Sequence, residues 1–182
     1  MILSRVAIRA EIEAHRLSIQ PLDDSQIGVS SVDLTLSESL LVMPNIEDAG
    51  DIIEPSKLGF KVMPELIERG ELRPIPERDP YILKPRELVL GWTRENLQFA
   101  TSLAARVEGK STLARLGLSA HITAPTVIAG YRGTLCLEMY NCGPYRIKLE
   151  AGMAIAQLVL EQVELPTREG YDGQFLNQLN PT

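Results

Sequence analysis

Cysteine and histidine are scarce: Cys136, Cys142, His15 and His121 are all that 182 residues contain. The cysteine spacing matches no zinc pattern and two histidines cannot complete a ligand set, which argues against a zinc hydrolase. A reduced cytosolic cysteine pair is the plainer reading. Long apolar runs are also missing. None approaches the roughly 18 residues of a membrane span, and Met1-Ile2-Leu3-Ser4-Arg5 lacks the layout of a secretory signal. A cytoplasmic protein with no membrane partner is therefore expected. Positive charge is short as well: the formal net charge is -6. Binding to a nucleic acid backbone, which needs clustered Lys and Arg, has no global support, and a small anionic ligand would need a local basic pocket.

What is present suits one folded unit. Hydrophobic residues make up 45% and charged residues 23%, a balance without the compositional signature of disorder. The length supports one substantial core, so residues 1–182 are expected to form a single domain. Ser4 is placed to cap a helix running to about His15, with Val6, Ala10 and Ala14 along one side and Ile8 and Ile12 beside them. From Gly28 the period changes to two: Val32, Leu34 and Leu36 point one way, and Ser31, Asp33 and Thr35 the other. Residues 40–43 continue that strand. Residues 44–80 are acidic, irregular and rich in Pro and Gly, with a short helix around 64–69, and read as insertion or loop. Short strands are expected at 81–85, 88–93, 103–107, 134–140, 145–149 and 153–163, with turns at Gly143-Pro144 and Gly152. The polar tail, 166–182, carries Tyr171, Gly173 and Phe175 and leaves two readings open, a disordered end or an active-site lid. Many short strands with little helix predict a mainly β barrel or sandwich.

Chemistry concentrates between Glu108 and Glu138. Gly109-Lys110-Ser111-Thr112 invites comparison with a phosphate-binding P-loop, but that pattern needs glycine at 104, where this chain has Ala104, and the helix-strand alternation is missing. The nucleotide-binding fold is rejected. Free amides at the start of a helical turn, two hydroxyls and Lys110 still attract anions, although an ordinary capped turn with a solvated lysine is the commoner outcome. Residues 111–116 are too few for an independent helix, and Gly117 would stop it. Arg115 lies one turn after Ser111, where it is either a surface charge or a bidentate oxyanion contact. In the strand at 134–140, Leu135, Leu137 and Met139 form one face, so Glu138 shares the other with Thr134, Cys136 and Tyr140. That face leaves two readings open: a solvated glutamate, or a carboxylate lining a cleft and moving protons. His121 reads as structural, and Tyr171 and Gln174 belong to the tail.

In this order the motifs resemble the dCTP deaminase family of the dUTPase-like superfamily. The resemblance is carried by Met1-Ile2-Leu3-Ser4, Ser30-Ser31-Val32-Asp33-Leu34-Thr35-Leu36, Gly109-Lys110-Ser111-Thr112-Leu113-Ala114-Arg115-Leu116-Gly117-Leu118, Leu137-Glu138 with Asn141, Gly152-Met153 and Gln157-Leu158. It implies a distorted, jelly-roll-like β-barrel of dUTPase type, a homotrimer with active sites between subunits, and a magnesium-bound triphosphate. It implies zinc-independent hydrolytic deamination of dCTP to dUTP and ammonia. Glu138 matches the general base, and Ser111 and Arg115 match residues that organise the attacking water. Lys110 and Thr112 match phosphate contacts. Ala124 matches a backbone contact to the base, and Cys136, Leu137, Gln157, Tyr171 and Gln174 match further substrate contacts.

The resemblance departs at Ile128, where the family has an aspartate that meets the deoxyribose 3'-hydroxyl and, in dUTPases, helps activate water. Isoleucine has no hydrogen-bonding group. The expectation is therefore a deaminase that stops at dUTP, or a close variant acting on a related, modified deoxycytidine nucleotide. Two alternatives stand beside it: a bifunctional deaminase and diphosphatase giving dUMP, and a catalytically silent nucleotide-binding trimer.

Overall fold

The alternation that begins at Val32 becomes an eleven-residue strand, β2 (Val32–Val42), in the computed structural model, which describes residues 1–44, 52–76 and 79–181. Val32, Leu34 and Leu36 are fully buried. The alternation then slips, because the pairing of β2 with its neighbour is irregular between Leu36 and Leu40, and Ser37 turns inward. The irregularity leaves the main-core face unchanged: Leu40 returns to the same core as Val32, Leu34 and Leu36, while Leu41 joins a smaller cluster with Leu90 and Trp92.

Helix α1 (Arg5–Glu13) starts as expected at Ser4, whose side chain accepts a hydrogen bond from the Ala7 amide at 3.4 Å. It buries Ile8 and packs Ala7 and Ile12 on the core, whereas Val6 is exposed. The remaining strands are β1 (Leu17–Gln20), β3 (Glu71–Pro74), β4 (Tyr81–Leu83), β5 (Leu88–Phe99), β6 (Leu103–Gly109), β7 (Leu118–Ser119), β8 (Thr126–Val127), β9 (Arg132–Asn141), β10 (Ile147–Leu149) and β11 (Ala154–Gln162). Their main sheet runs β7-β9-β5-β2-β11-β6-β8, with β1 also on β5 and β3 on β2, and it curls into the expected distorted barrel. Segment 81–85 does not pair with its sequence neighbour β5; β4 forms a separate ribbon with β10. Every pairing between these strands is antiparallel. Among the described residues no helix is long and apolar enough to cross a membrane.

Strand β5 extends beyond the expected 88–93 because Glu95 occupies an inward slot of the alternation. It is 1% exposed. Its carboxylate accepts hydrogen bonds from the Thr35 amide at 2.9 Å, the Thr35 hydroxyl at 2.7 Å and the Gln26 amide at 2.9 Å. These donors stand where the pairing of β5 with β2 and with β9 is interrupted. Thr93 completes the repair: its hydroxyl donates to the Glu95 carbonyl and accepts from the Leu135 amide. Buried side chains here replace missing ladder bonds.

The insertion is more ordered than its composition suggests. Helix α2 (Val62–Arg69) ends at Gly70 and packs Met63 and Leu66 onto a second small core of Leu41, Leu90 and Trp92. Residues 45–51 and 77–78 of that acidic stretch lie outside the described residues.

Candidate functional site

Strand β9 separates its faces as the alternation dictates. Leu135, Leu137 and Met139 are buried at 8%, 1% and 0% exposure, in the main core. The face carrying Cys136 and Glu138 is not open to solvent. In the register of β5 against β9, Leu90 stands opposite Glu138 and Trp92 opposite Cys136, and α2 covers that apolar ground. Glu138 is left half-buried on the wall of a cavity of about 430 Å3.

Three other segments close this cavity. Ala124, Thr126 and Ile128 come from the stretch around β8, with Ile128 half exposed at 51%. Val62, Met63 and Leu66 come from α2. Tyr171, Phe175 and Gln178 come from the tail. The tail is held by backbone bonds from Tyr171 to Ala129, Asn177 to Arg132 and Thr134 to Gln178. Its ring at Tyr171 tilts against Tyr131 with centroids 5.8 Å apart. Gly130 takes φ +80° where the Gly170 backbone passes, so a side chain at 130 would meet the tail's main chain.

The electrostatics of the cavity are simple. Among the described residues lining it, Glu138 is the only carboxylate and none is Lys or Arg. Burial, reinforced by the neighbouring Glu138 charge, pushes the Cys136 thiol up to about 12, so it stays protonated at neutral pH. Burial also raises Tyr131, whose hydroxyl donates to the Thr134 carbonyl at 2.7 Å. The Gln178 side-chain nitrogen is buried without a protein partner. It is a donor free for a ligand.

The remaining sequence-derived candidates sit elsewhere. Helix α3 (Ser111–Ala114) is the single turn expected, and Gly117 at φ +99° ends it against the Gly143 backbone. Ser111, Thr112 and Arg115 are exposed. Neither Ser111 nor Arg115 has a side-chain hydrogen bond or ion pair among the described residues, and neither lines the Glu138 cavity. Lys110 is bound to Asp33 at 2.6 Å. Asp33 pairs across the sheet with Gln157, whose amide oxygen lies 3.5 Å from the Ser31 hydroxyl. Lys110 and Gln157 thus belong to a polar strand edge beside α3. Leu137 sends its side chain into the core, leaving only its backbone for a ligand, and Gln174 is exposed outside the cavity. The structure therefore brings together Ala124, Cys136, Glu138 and Tyr171, and separately Lys110, Ser111, Thr112, Arg115 and Gln157.

Sequence reasoning missed Gln178 and the α2 residues. For Gln178 the tail's register pointed to Gln174 instead. For α2 the signal was the apolar spacing Val62, Met63 and Leu66, hidden in an otherwise irregular stretch. His121 keeps a structural place: its carbonyl accepts from the Ser119 hydroxyl, and its buried Nδ1 has no protein partner. Among the described residues no group of three or more His, Cys, Asp or Glu gathers as for a metal ion.

A curled barrel whose described residues place one carboxylate on the wall of a largely apolar pocket defines a mainly β protein with a cavity suited to a small molecule. A family model described as dCTP deaminase-like matches residues 2–163, and the chain belongs to that family. A relative named "dCTP deaminase, dUMP-forming" from Persephonella marina is 35% identical over 182 residues, covering all of this chain and 95% of the relative. One of the same name from Mycobacterium sp. (strain KMS) is 40% identical over 190 residues, covering all of this chain and 94% of the relative. In fold, the chain is similar to a solved 2'-deoxycytidine 5'-triphosphate deaminase from Agrobacterium tumefaciens, with a TM-score of 0.70 and 21% identity over 90% of this chain. The chain spans about half of that longer structure, 48% of it.

These relatives correct the expected product. A deaminase stopping at dUTP was inferred from Ile128, yet relatives matching end to end carry the name dUMP-forming. One missing side chain was given more weight than the rest of the shared sequence.

Proposed function

We propose that the protein deaminates dCTP and releases diphosphate, giving dUMP. The observation that carries this reading is the Glu138 carboxylate, the only acid among the described residues of the cavity wall, in a chain whose 182 residues all align with relatives named for that reaction. Glu138 takes a proton from water, which attacks C4 of the cytosine, and passes it towards the leaving amine. Ala124 and Leu137 meet the base through their backbones, Cys136 borders it as a neutral thiol, and Tyr171, Gln178 and Gln174 belong to the closing tail. Hydrolysis at the α-phosphorus needs a second aligned water. With Ile128 unable to hold it, backbone groups and Glu138 itself are the groups assigned to that step.

A triphosphate carries several negative charges, and none of the described residues lining this cavity is a cation. Lys110, Ser111, Thr112, Arg115 and Gln157 supply the missing donors from a neighbouring copy in a homotrimer. What supports this is the unpartnered Arg115 and the exposed turn of α3, which do not reach Glu138 within one chain. Magnesium would be bound through the nucleotide's triphosphate, as part of the substrate. When bound it neutralises phosphate charge; proton transfer at the base is left to Glu138.

Incubation with dCTP and magnesium, followed by chromatography, tests the reading. Equal amounts of dUMP, diphosphate and ammonia are expected. Accumulation of dUTP without dUMP would overturn the assigned product, and intact dCTP at high protein concentration would overturn the enzyme itself.

A further inference from the structure

We infer that the pocket accepts deoxycytidine nucleotides with a small apolar group at C5 of the base, 5-methylcytosine above all, at least as readily as unsubstituted cytosine. The inference rests on the deaminase reading of Glu138. Deamination occurs at C4, so C4 must face that carboxylate. Beside Glu138 lies an apolar surface: Leu90 directly opposite it in the β5 and β9 register, Cys136 two residues before it on the same face, and Met63 and Leu66 of α2 packed over both strands. Cys136 adds no charge to this surface at neutral pH.

C4 of cytosine has two ring neighbours of opposite character. N3 is a hydrogen-bond acceptor, whereas C5 carries only a hydrogen. A base presenting C4 to Glu138 turns one of them towards the α2 surface. N3 placed against Met63 and Leu66 would lose its partner in water and gain none, a penalty that C5 does not incur. C5 therefore faces α2, and the polar lining at Thr126 and Gln178 is left for N3, the carbonyl and the sugar. A methyl group at C5 lands on side chains that gain by burying it, worth about fourfold in affinity for one carbon.

The chemistry is unchanged by the substituent. Water adds its oxygen to C4, one of its protons goes to N3 and the other to the amino group, the C4–N bond breaks, and ammonia leaves. The product base is then thymine, which chromatography distinguishes from uracil.

The test compares kcat/KM for 5-methyl-dCTP and dCTP on the full chain with magnesium. A ratio above one is expected, about fourfold from burial of the methyl group. Met63→Gln should lower that ratio below one by placing an amide against the methyl, while Met63→Leu should keep it above one. Turnover of dCTP with a wild-type ratio below one would overturn the inference and leave the deaminase reading intact. Deamination of neither nucleotide would overturn that reading, and the inference with it.

Discussion

Glu138 and Cys136 share one face of β9, and the covering of that face gives them different roles. Half-burial on a cavity wall leaves the glutamate able to meet a ligand, while burial locks the thiol in its neutral form. Glu138→Gln keeps the shape and removes the base. Turnover of dCTP should fall by about 10^2 to 10^4, with nucleotide binding by calorimetry retained; unchanged turnover would remove Glu138 from that role. The two cysteines separate in the same way. Cys142 is exposed and Cys136 is not. With a folded value near 12 against an ordinary 9.0, Cys136 binds its proton more tightly when folded, so its contribution to stability is full below pH 9 and fades as pH rises through 12. At pH 8 a disulfide reagent should titrate one thiol quickly in the native protein and two after denaturation. Two fast native thiols would contradict the burial of Cys136. The period-two pattern placed Glu138 and Cys136 on one face. Whether that face met water or a cavity was not legible, because α2, which covers it, comes from a stretch of weak pattern.

At the scale of elements, strands with clean alternation were legible and strands with a repaired ladder were not. Residues 32–36 announced β2, but β5 seemed to end at Thr93 because Arg94, Glu95 and Asn96 are all polar. The continuation depends on an inward glutamate satisfied by Thr35 and Gln26, a compensation between distant residues that no local pattern displays. Removing it should be costly. Glu95→Ala removes the acceptor of three part-buried hydrogen bonds, although the Gln26 nitrogen keeps its bond to the Asp33 carbonyl, and a loss of about 2 kcal/mol is expected from urea unfolding. A change within about 0.5 kcal/mol, the range of an ordinary surface substitution, would show that the carboxylate is dispensable. Helix α3 was legible because Gly117 marks its end, and β3, β7 and β8, at four, two and two residues, were too short to carry any period.

At the scale of the whole molecule, the barrel and the family were legible from motifs spread along the chain. The division of the site was not. Sequence order puts Ser111, Arg115 and Glu138 within one short span, yet folding sends α3 to the strand edge near Lys110 and Asp33 and leaves Glu138 in a cavity with no cation among its described lining residues. In the proposed account a monomer holds two halves of a site, and association of identical chains joins them. Sedimentation should give three times the 20.1 kDa chain mass. The most direct measurement is subunit complementation, with dUMP release from dCTP as the readout. Glu138→Gln and Arg115→Ala proteins should each be inactive alone. After unfolding together and refolding as mixed trimers, about a quarter of the sites should pair an intact Glu138 with an intact Arg115 from another copy, and activity should return in that proportion. A mixture as inactive as its two parents would contradict a pocket completed between chains.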